Sequence, residues 1–182
     1  MRRPVIAILA AILLSAPASP STGARIAAAA SEQIGVTTIY DPAYVKLPYP
    51  NGDVPPERGV CADVVVRAFR RIGVDLQAEV HADMTRNFGA YPRKWGPHRP
   101  DANIDHRRVP NLMTYFARRG KSLPLAGPYL AGDVVAWQLP GGFYHVGIVS
   151  KDGDPQVVHN IGYGTREEPV LREWRVIGHY RW

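Results

Sequence analysis

The chain has 182 residues, with 22 lysine and arginine side chains against 16 aspartate and glutamate side chains, a formal net charge of +6. This length suffices for one domain with a hydrophobic core and is too short for two. The basic residues occur in scattered pairs such as Arg70-Arg71 and Arg118-Arg119, whereas a nucleic-acid-binding face needs a clustered basic stripe with aromatic residues. We therefore expect no nucleic-acid partner.

The first 18 residues have the pattern of a secretory signal peptide. Arg2 and Arg3 supply a positive start, an apolar run covers residues 5–16, and Ala16-Pro17-Ala18 offers the small residues that a signal peptidase reads. The apolar run is shorter than the roughly 20 residues that a membrane-spanning helix needs, although a short anchor or a buried helix is an alternative. We predict an exported protein, periplasmic or secreted, with a signal peptide over residues 1–18 and no stable membrane insertion after cleavage.

In chain order, helical patterns come first and strand patterns follow. Helices are predicted over residues 24–34, 61–72, 75–87 and 110–119, and glycines close three of them. The proline-rich segment over residues 40–58 is predicted to be an ordered loop.

From Gly132 onward the pattern changes to strands, predicted over residues 133–139, 143–150, 156–160 and 175–182. Turn residues at 140–142 and 152–154 are the expected hairpin connections. Helices followed by an antiparallel sheet predict an α+β class, with one domain over residues 19–182.

Cys61 is the single cysteine of the chain and lies at the predicted start of a helix. The unpaired N–H groups and the dipole at a helix N-terminus favour a thiolate and lower the pKa of the thiol. Asp63 acts in the opposite direction, because a nearby negative charge raises that pKa. The structural alternative is a buried cysteine that serves as a small apolar residue.

Two histidines on neighbouring predicted strands complete a candidate catalytic set. Alternation places His145 and Gly147 on one face of their strand, and His159 shares a face with Val157 on the next strand. If the two strands pair, His159 can reach His145 and orient it. Asn160 is the alternative orienting residue, because a shift of one residue in the strand register exchanges the two. A nucleophile, a base and an orienting group are the parts that covalent catalysis needs.

Several strings of this sequence resemble known families. GDVVAW at 132–137, HVGIV at 145–149 and VVH at 157–159 resemble the second half of NlpC-type and CHAP cell-wall peptidases. The longer strings GVCADVV at 59–65, NIDHRRVPNL at 103–112, HNIG at 159–162 and GHYR at 178–181 resemble the bacterial domain-of-unknown-function family 1287, an exported group placed in the NlpC-like superfamily. The resemblance covers roughly residues 25–182. The aspartate-cysteine-serine-glycine string usual in NlpC proteins is replaced here by GVCA at 59–62.

The resemblance implies a papain-like, NlpC-type fold, with N-terminal helices packed on a C-terminal antiparallel sheet. It implies a cysteine amidase or peptidase that cleaves an amide bond in peptidoglycan, in a stem peptide or a cross-link. Cys61 would attack the carbonyl carbon, His145 would accept the thiol proton and later protonate the leaving amine, and His159 would hold His145 in one tautomer. The backbone N–H of Cys61 is the expected oxyanion donor. We expect no cofactor and a monomer.

Other polar residues are candidates for substrate binding, and two other functions stay open. The predicted substrate-binding residues are Asp63, Asp105, His106, Arg107 and Trp137; a solvated or salt-bridged loop is the structural alternative for residues 103–108. The first alternative function is a binding module that recognises cell-wall fragments without cutting them. The second is a metal-dependent hydrolase built on His81, Asp83 and His106, although no HExxH or closed zinc spacing supports it.

Overall fold

The computed structural model describes residues 19–94, 96, 98–153 and 156–182. The predicted signal peptide over residues 1–18, Trp95, and Asp154 of the second predicted hairpin connection lie outside these ranges. Within the described ranges, every helix falls short of the length and apolar character that a membrane span requires.

Four helices confirm the helical part of the prediction. They are α1 (Thr22–Ser31), α2 (Cys61–Arg71), α3 (Leu76–Asn87) and α4 (Val109–Arg118). The Ser21 hydroxyl caps α1 by accepting the Ala24 N–H at 3.1 Å, and the Asp75 carboxylate caps α3 by accepting the Gln77 N–H at 3.1 Å. The prediction extends α1 three residues too far, because the chain leaves the helix through turns before it reaches Gly35.

Five antiparallel strands form the main sheet, in the spatial order β6-β5-β4-β3-β7. The strands are β3 (Val134–Gln138), β4 (Tyr144–Val149), β5 (Val157–Asn160), β6 (Thr165–Glu168) and β7 (Arg175–Tyr180). A separate two-residue parallel ladder joins β1 (Ile39–Tyr40) to β2 (Arg58–Gly59). The sequence analysis missed β6, because its residues Thr-Arg-Glu-Glu form a polar edge strand without the apolar alternation of a half-buried strand.

The two faces of the main sheet have different coverings. Val146 and Ile148 of β4 belong to the large core, which also contains the buried side of α2; we call this the helix face. Trp137, Val149 and Val157 belong to a smaller cluster on the opposite side, together with Leu171; we call this the far face. The mixed α+β class is therefore confirmed, with helices against one face of an antiparallel sheet.

A buried ionic cluster joins the start of β3 to β7. The Asp133 carboxylate lies 2.8 Å from His179 Nε2 and accepts two hydrogen bonds of 2.7 Å from the Arg181 guanidinium. The other nitrogen of His179 lies 2.9 Å from the Pro124 carbonyl oxygen. Gly132, beside this cluster, has a φ of +85°, and a Cβ there would lie 2.2 Å from the Gly23 carbonyl oxygen. The GD string therefore has a structural role. Its glycine allows the close approach of α1, and its aspartate connects β3 to β7 through His179.

Candidate active site

Cys61 is the first residue of α2, and its sulfur lies among backbone N–H groups. The Asp63 carboxylate accepts the Val60 N–H at 2.7 Å and so fixes the turn that leads into the helix. The backbone N–H groups of Val146, Ala62 and Cys61 itself are near the sulfur and favour its thiolate form. The Val146 N–H can take part because β5 pairs with only two residues of β4, Ile148 and Val149. The helix start therefore places the thiol against β4, beside the residue that follows His145.

The thiol of Cys61 is protonated in the free protein. Burial raises the pKa of Cys61 to about 12, the three N–H groups lower it, and the Asp63 carboxylate raises it further. The effect predicted for Asp63 is confirmed, whereas the lowered thiol pKa expected from the helix start is wrong. Desolvation of a buried thiolate outweighs the stabilisation that the N–H groups provide.

His145 and His159 form a direct pair on the far face. His145 Nε2 lies 2.8 Å from His159 Nδ1, so the predicted approach of the two rings is confirmed. Asn160 points away from this pair and donates a hydrogen bond of 3.2 Å to the Gly59 carbonyl oxygen. Burial, and then the neighbouring His159, lower the pKa of His145 to about 3. His145 is therefore a neutral imidazole at pH 7.

Two tryptophans enclose the histidine pair. The ring of Trp137 stacks on His145 with centroids 5.7 Å apart, and Trp174 meets both imidazoles edge-on at 5.7 and 6.2 Å. Trp137 is fully buried, and its indole N–H donates to the Leu171 carbonyl oxygen at 3.1 Å. The contact of Trp137 with substrate stays a prediction; in the structure the ring is buried and stacks on His145.

Glu168 is a member of this site that the sequence analysis missed. Its Oε2 lies 3.0 Å from His159 Nε2, and its side chain is 38% exposed. The carboxylate is out of line with the ring N–H, so the contact is electrostatic more than a directed hydrogen bond. Burial lowers the pKa of His159, and Glu168 opposes that shift. Only the strand assignment of β6 could have revealed Glu168, and its polar sequence concealed that strand.

The thiol and the histidine pair are separate hydrogen-bonding groups in the described part of the chain. Among the described residues, no hydrogen bond joins the Cys61 sulfur to His145. Alternation along β4 directs His145 to the far face, whereas Val146 and Cys61 belong to the helix-face core. The histidine pair is thus assembled, and Cys61 packs in the same cluster as Val146, the residue that follows His145.

A cleft of about 690 Å³ opens beside Cys61. Its cationic side chains are Lys94, Arg107 and Arg108, and none of its lining residues is acidic. Aromatic side chains form much of the remaining wall: Tyr40, Tyr44, Phe143 and Tyr144. The Lys94 ammonium donates to the Tyr144 hydroxyl at 2.5 Å and lies 4.3 Å from the ring centroid. The cleft therefore combines positive charge with flat apolar surfaces.

Asp63 and Arg107 form a buried ion pair beneath this cleft. The guanidinium donates to both carboxylate oxygens at 2.9 Å and also to the carbonyl oxygens of Asp41 and Ala43 at 3.0 Å. Of the predicted substrate-binding residues, Arg107 lines the cleft, whereas Asp63 is buried behind it. The pair fixes the segment containing Tyr40 and Tyr44 against the start of α2.

The other predicted polar residues lie below the surface. Asp105 accepts the Asp101 N–H at 2.5 Å, and burial lowers the pKa of the adjacent His106 to about 4. Both side chains are almost fully buried, so they support the cleft wall and do not form its rim.

The residues suggested for a metal site have other contacts. Asp83 lies 2.7 Å from the guanidinium of Arg118 and accepts a hydrogen bond of 2.7 Å from the Tyr91 hydroxyl, while His81 packs edge-on against Tyr49. The described part of the chain contains no group of three histidine, cysteine, aspartate or glutamate side chains arranged to hold a metal ion.

Comparison with known proteins identifies the family. A family described as Domain of unknown function (DUF1287) matches residues 27–182. The chain belongs to the DUF1287 family. It is 56% identical over 169 residues to a protein of Escherichia coli (strain K12) named "Uncharacterized protein YijF", a match that covers 89% of this chain and 82% of the relative. The predicted resemblance to this family is confirmed, and Cys61, His145 and His159 all lie within the DUF1287 match.

Proposed function

We propose that this DUF1287 protein is an exported cysteine amidase or peptidase with a papain-like, NlpC-type fold that cleaves an amide bond in peptidoglycan. The observation that carries the proposal is the position of Cys61. Cys61 lines the cleft from the first position of α2, and backbone N–H groups of both the helix and β4 favour its thiolate form. The β4 donor, Val146, directly follows the neutral His145.

The proposed reaction starts from a neutral thiol and a neutral imidazole. When substrate is bound, His145 takes the thiol proton while the Cys61 sulfur attacks the amide carbon. Catalytic hydrogen bonds are often long before substrate binds, so their absence in the free protein is compatible with this step. The imidazolium then gives its proton to the leaving amine as the C–N bond breaks. Water hydrolyses the resulting thioester and restores the thiol.

Backbone N–H groups at the sulfur are suited to stabilise the oxyanion. The N–H groups of Cys61 and Ala62 are free of intrahelical partners because they belong to the first turn of α2. Such preorganised donors are among the largest contributions to acyl-transfer catalysis. The N–H of Cys61 is the donor nearest to a carbonyl carbon under attack by its own sulfur.

The charge of the cleft supports a substrate that carries a carboxylate. Of the cations that line the cleft, Arg107 is paired with the buried Asp63 and Arg108 lies 3.6 Å from Asp105, so Lys94 offers the clearest positive charge to a substrate. Peptidoglycan stem peptides carry free carboxylates, which a cationic side chain binds through charge-assisted hydrogen bonds. The aromatic wall offers flat surfaces for the apolar parts of the same peptide.

One observation favours a second candidate, a binding module that recognises wall fragments without cutting them. The thiol pKa is raised to about 12 and the sulfur makes no hydrogen bond to His145 among the described residues. A cysteine that serves only in packing has these properties. In that case Cys61→Ala binds wall fragments as well as the wild type does.

Digestion of purified peptidoglycan separates these candidates. The wild type and Cys61→Ala are incubated with the polymer, and released fragments are identified by mass. We expect defined muropeptides from the wild type alone, unaffected by a chelator. Release by neither protein, with retained binding of the polymer, supports the binding module. Equal release by both, abolished by a chelator, supports a metal-dependent hydrolase.

A further inference from the structure

We infer that Glu168 is a positioning residue that, through His159, leaves the basic lone pair of His145 on Nδ1. The inference rests on the proposed function for its catalytic meaning. The geometric part is independent of any activity, because it concerns only where two protons reside in the free protein.

The strand register places Glu168 on the same face as the histidines. Glu168 of β6 pairs with Val157 of β5, two residues before His159, so its side chain projects to the far face with both residues. Its carboxylate oxygen lies 3.0 Å from His159 Nε2. Glu167 pairs with Val158 and projects to the opposite face, where its carboxylate lies 3.9 Å from the Lys151 ammonium. Glu167 is therefore a natural control for Glu168, because it lies on the same strand and projects to the opposite face.

The short contact between the imidazoles allows only one proton between them. His145 Nε2 and His159 Nδ1 are 2.8 Å apart, so one nitrogen donates and the other accepts. A carboxylate beside His159 Nε2 favours a proton on that nitrogen, which leaves Nδ1 of the neutral ring as the acceptor. His145 must then carry its proton on Nε2, and its lone pair lies on Nδ1. Reversal of these positions would place a lone pair of His159 against the carboxylate.

The other groups around the pair do not supply an alternative acceptor. Trp137 and Trp174 present rings, and the Trp137 N–H is engaged by the Leu171 carbonyl oxygen. Arg166 pairs with His159 across β5 and β6 and lies over the Tyr163 ring at 5.4 Å. Its guanidinium has no acceptor to offer an imidazole N–H. Among the described side chains facing His159, Glu168 is therefore the only carboxylate in contact.

For catalysis, the consequence is that one nitrogen of His145 is the basic one. A neutral histidine has one basic nitrogen, and only the nitrogen that faces the reaction can take the thiol proton. With His145 Nε2 bonded to His159, Nδ1 is the nitrogen left to take the thiol proton in the proposed reaction. Loss of the Glu168 charge allows the opposite tautomers and so reduces the fraction of competent base.

The test is ¹⁵N–¹H long-range correlation spectroscopy of the full chain labelled at histidine nitrogens, at pH 7. The rings are assigned with His145→Gln and His159→Gln. In the wild type we expect Nε2–H tautomers for both His145 and His159. In Glu168→Gln we expect the Nδ1–H form of His159 to become readily detectable, because the amide can donate to Nε2. Glu167→Gln is the control and leaves both tautomers unchanged.

A rate measurement extends the test to the proposed function. If peptidoglycan is cleaved, Glu168→Gln lowers kcat/KM by about 100-fold, within the range that a positioned base contributes, and Glu167→Gln does not. Because Glu168 is partly exposed, we expect its substitution to leave the fold intact. Thermal unfolding of the variants checks this. Unchanged tautomers in Glu168→Gln overturn the inference even if cleavage is observed. Altered tautomers without cleavage by any form uphold the proton positions and remove the proposed function.

Discussion

Two buried histidine clusters lie on the same face of β3 and differ in how completely their polar groups are paired. At one end, His179 lies between the Asp133 carboxylate and the Pro124 carbonyl oxygen, and Arg181 neutralises the carboxylate. At the other end, His145 and His159 are joined by one hydrogen bond, and His159 Nε2 lies near the Glu168 carboxylate without a directed hydrogen bond to it. Each cluster has an aromatic ring against its histidine, Tyr129 at 4.1 Å from His179 and Trp137 at 5.7 Å from His145.

The difference separates a structural histidine from a functional candidate. In the Asp133 cluster every polar atom of His179 has a partner, so the ring serves as a fixed connection between strands. In the His145 cluster the protons have alternative positions, and a nearby carboxylate determines which is populated. Incomplete pairing of a buried titratable group is costly and is typical of sites that perform chemistry.

Exchanging each histidine for glutamine gives the largest expected contrast. His145→Gln should reduce kcat/KM for peptidoglycan cleavage by about 10²–10⁴-fold, because it removes the base. His179→Gln should leave kcat/KM of the folded protein unchanged and lower the free energy of unfolding by about 1–3 kcal/mol. Steady-state kinetics and urea unfolding of both variants test this. Full activity in His145→Gln would contradict the functional reading of its cluster.

Removal of the carboxylate at the centre of the structural cluster should have the largest effect on stability. Asp133→Ala leaves His179 and Arg181 without their acceptor, and loss of one partner from a buried ion pair costs about 3–5 kcal/mol. Urea unfolding measures the loss. Asp152→Asn is the matched control, since it retains the oxygen that accepts the Ala131 N–H and should change stability by less than about 0.5 kcal/mol. Equal stability of Asp133→Ala and the wild type would show that the Asp133 cluster does not stabilise the fold.

Substitution of the aromatic ring beside each histidine should affect activity at His145 and only stability at His179. Trp137→Phe shrinks the ring that stacks on His145 and removes the N–H that donates to the Leu171 carbonyl oxygen, so we expect reduced kcat/KM together with about 1–3 kcal/mol of destabilisation. Tyr129→Phe removes only the hydroxyl that donates to the Leu125 carbonyl oxygen, and should cost about 1 kcal/mol without any change in kcat/KM. A decrease in kcat/KM for Tyr129→Phe would show that the two clusters are coupled.

The pH dependence of stability should report the buried neutral histidines. The pKa values of His145 and His106 are lowered to about 3 and about 4, whereas an unfolded histidine has a pKa near 6.5. Between those values the unfolded chain binds more protons, so the free energy of unfolding should fall as the pH falls from about 6.5 toward 4. Urea unfolding at several pH values measures the slope. His106→Gln should flatten it, and an unchanged slope in that variant would remove His106 from this account.

Most elements of the fold and the histidine pair of the site could be predicted from the sequence. Apolar periodicity and glycine stops identified the four helices, and alternation identified β3, β4, β5 and β7 together with the pairing of His145 with His159. Edge strand β6, and with it Glu168, had no apolar pattern to reveal it. The burial of Cys61 and of Trp137 depends on long-range packing, which local periodicity does not encode.

The thiol shows why local rules were insufficient at the nucleophile. A helix N-terminus predicts a lowered pKa, and the predicted N–H groups are present at the sulfur. The packing of α2 against β4 nevertheless excludes water from Cys61, and desolvation exceeds the local effect. A sequence pattern identifies the donors of a site, whereas the dielectric environment depends on the complete fold.

In the proposed reaction the Cys61 sulfur forms a covalent acyl intermediate with peptidoglycan fragments. The most direct test is intact-mass analysis of the protein, quenched in acid shortly after mixing with muropeptides, followed by peptide mapping. We expect an added acyl mass on Cys61 in the wild type, none in Cys61→Ala, and slower formation in His145→Gln. Release of fragments by Cys61→Ala at the wild-type rate, or an acyl group mapped to another residue, would contradict it.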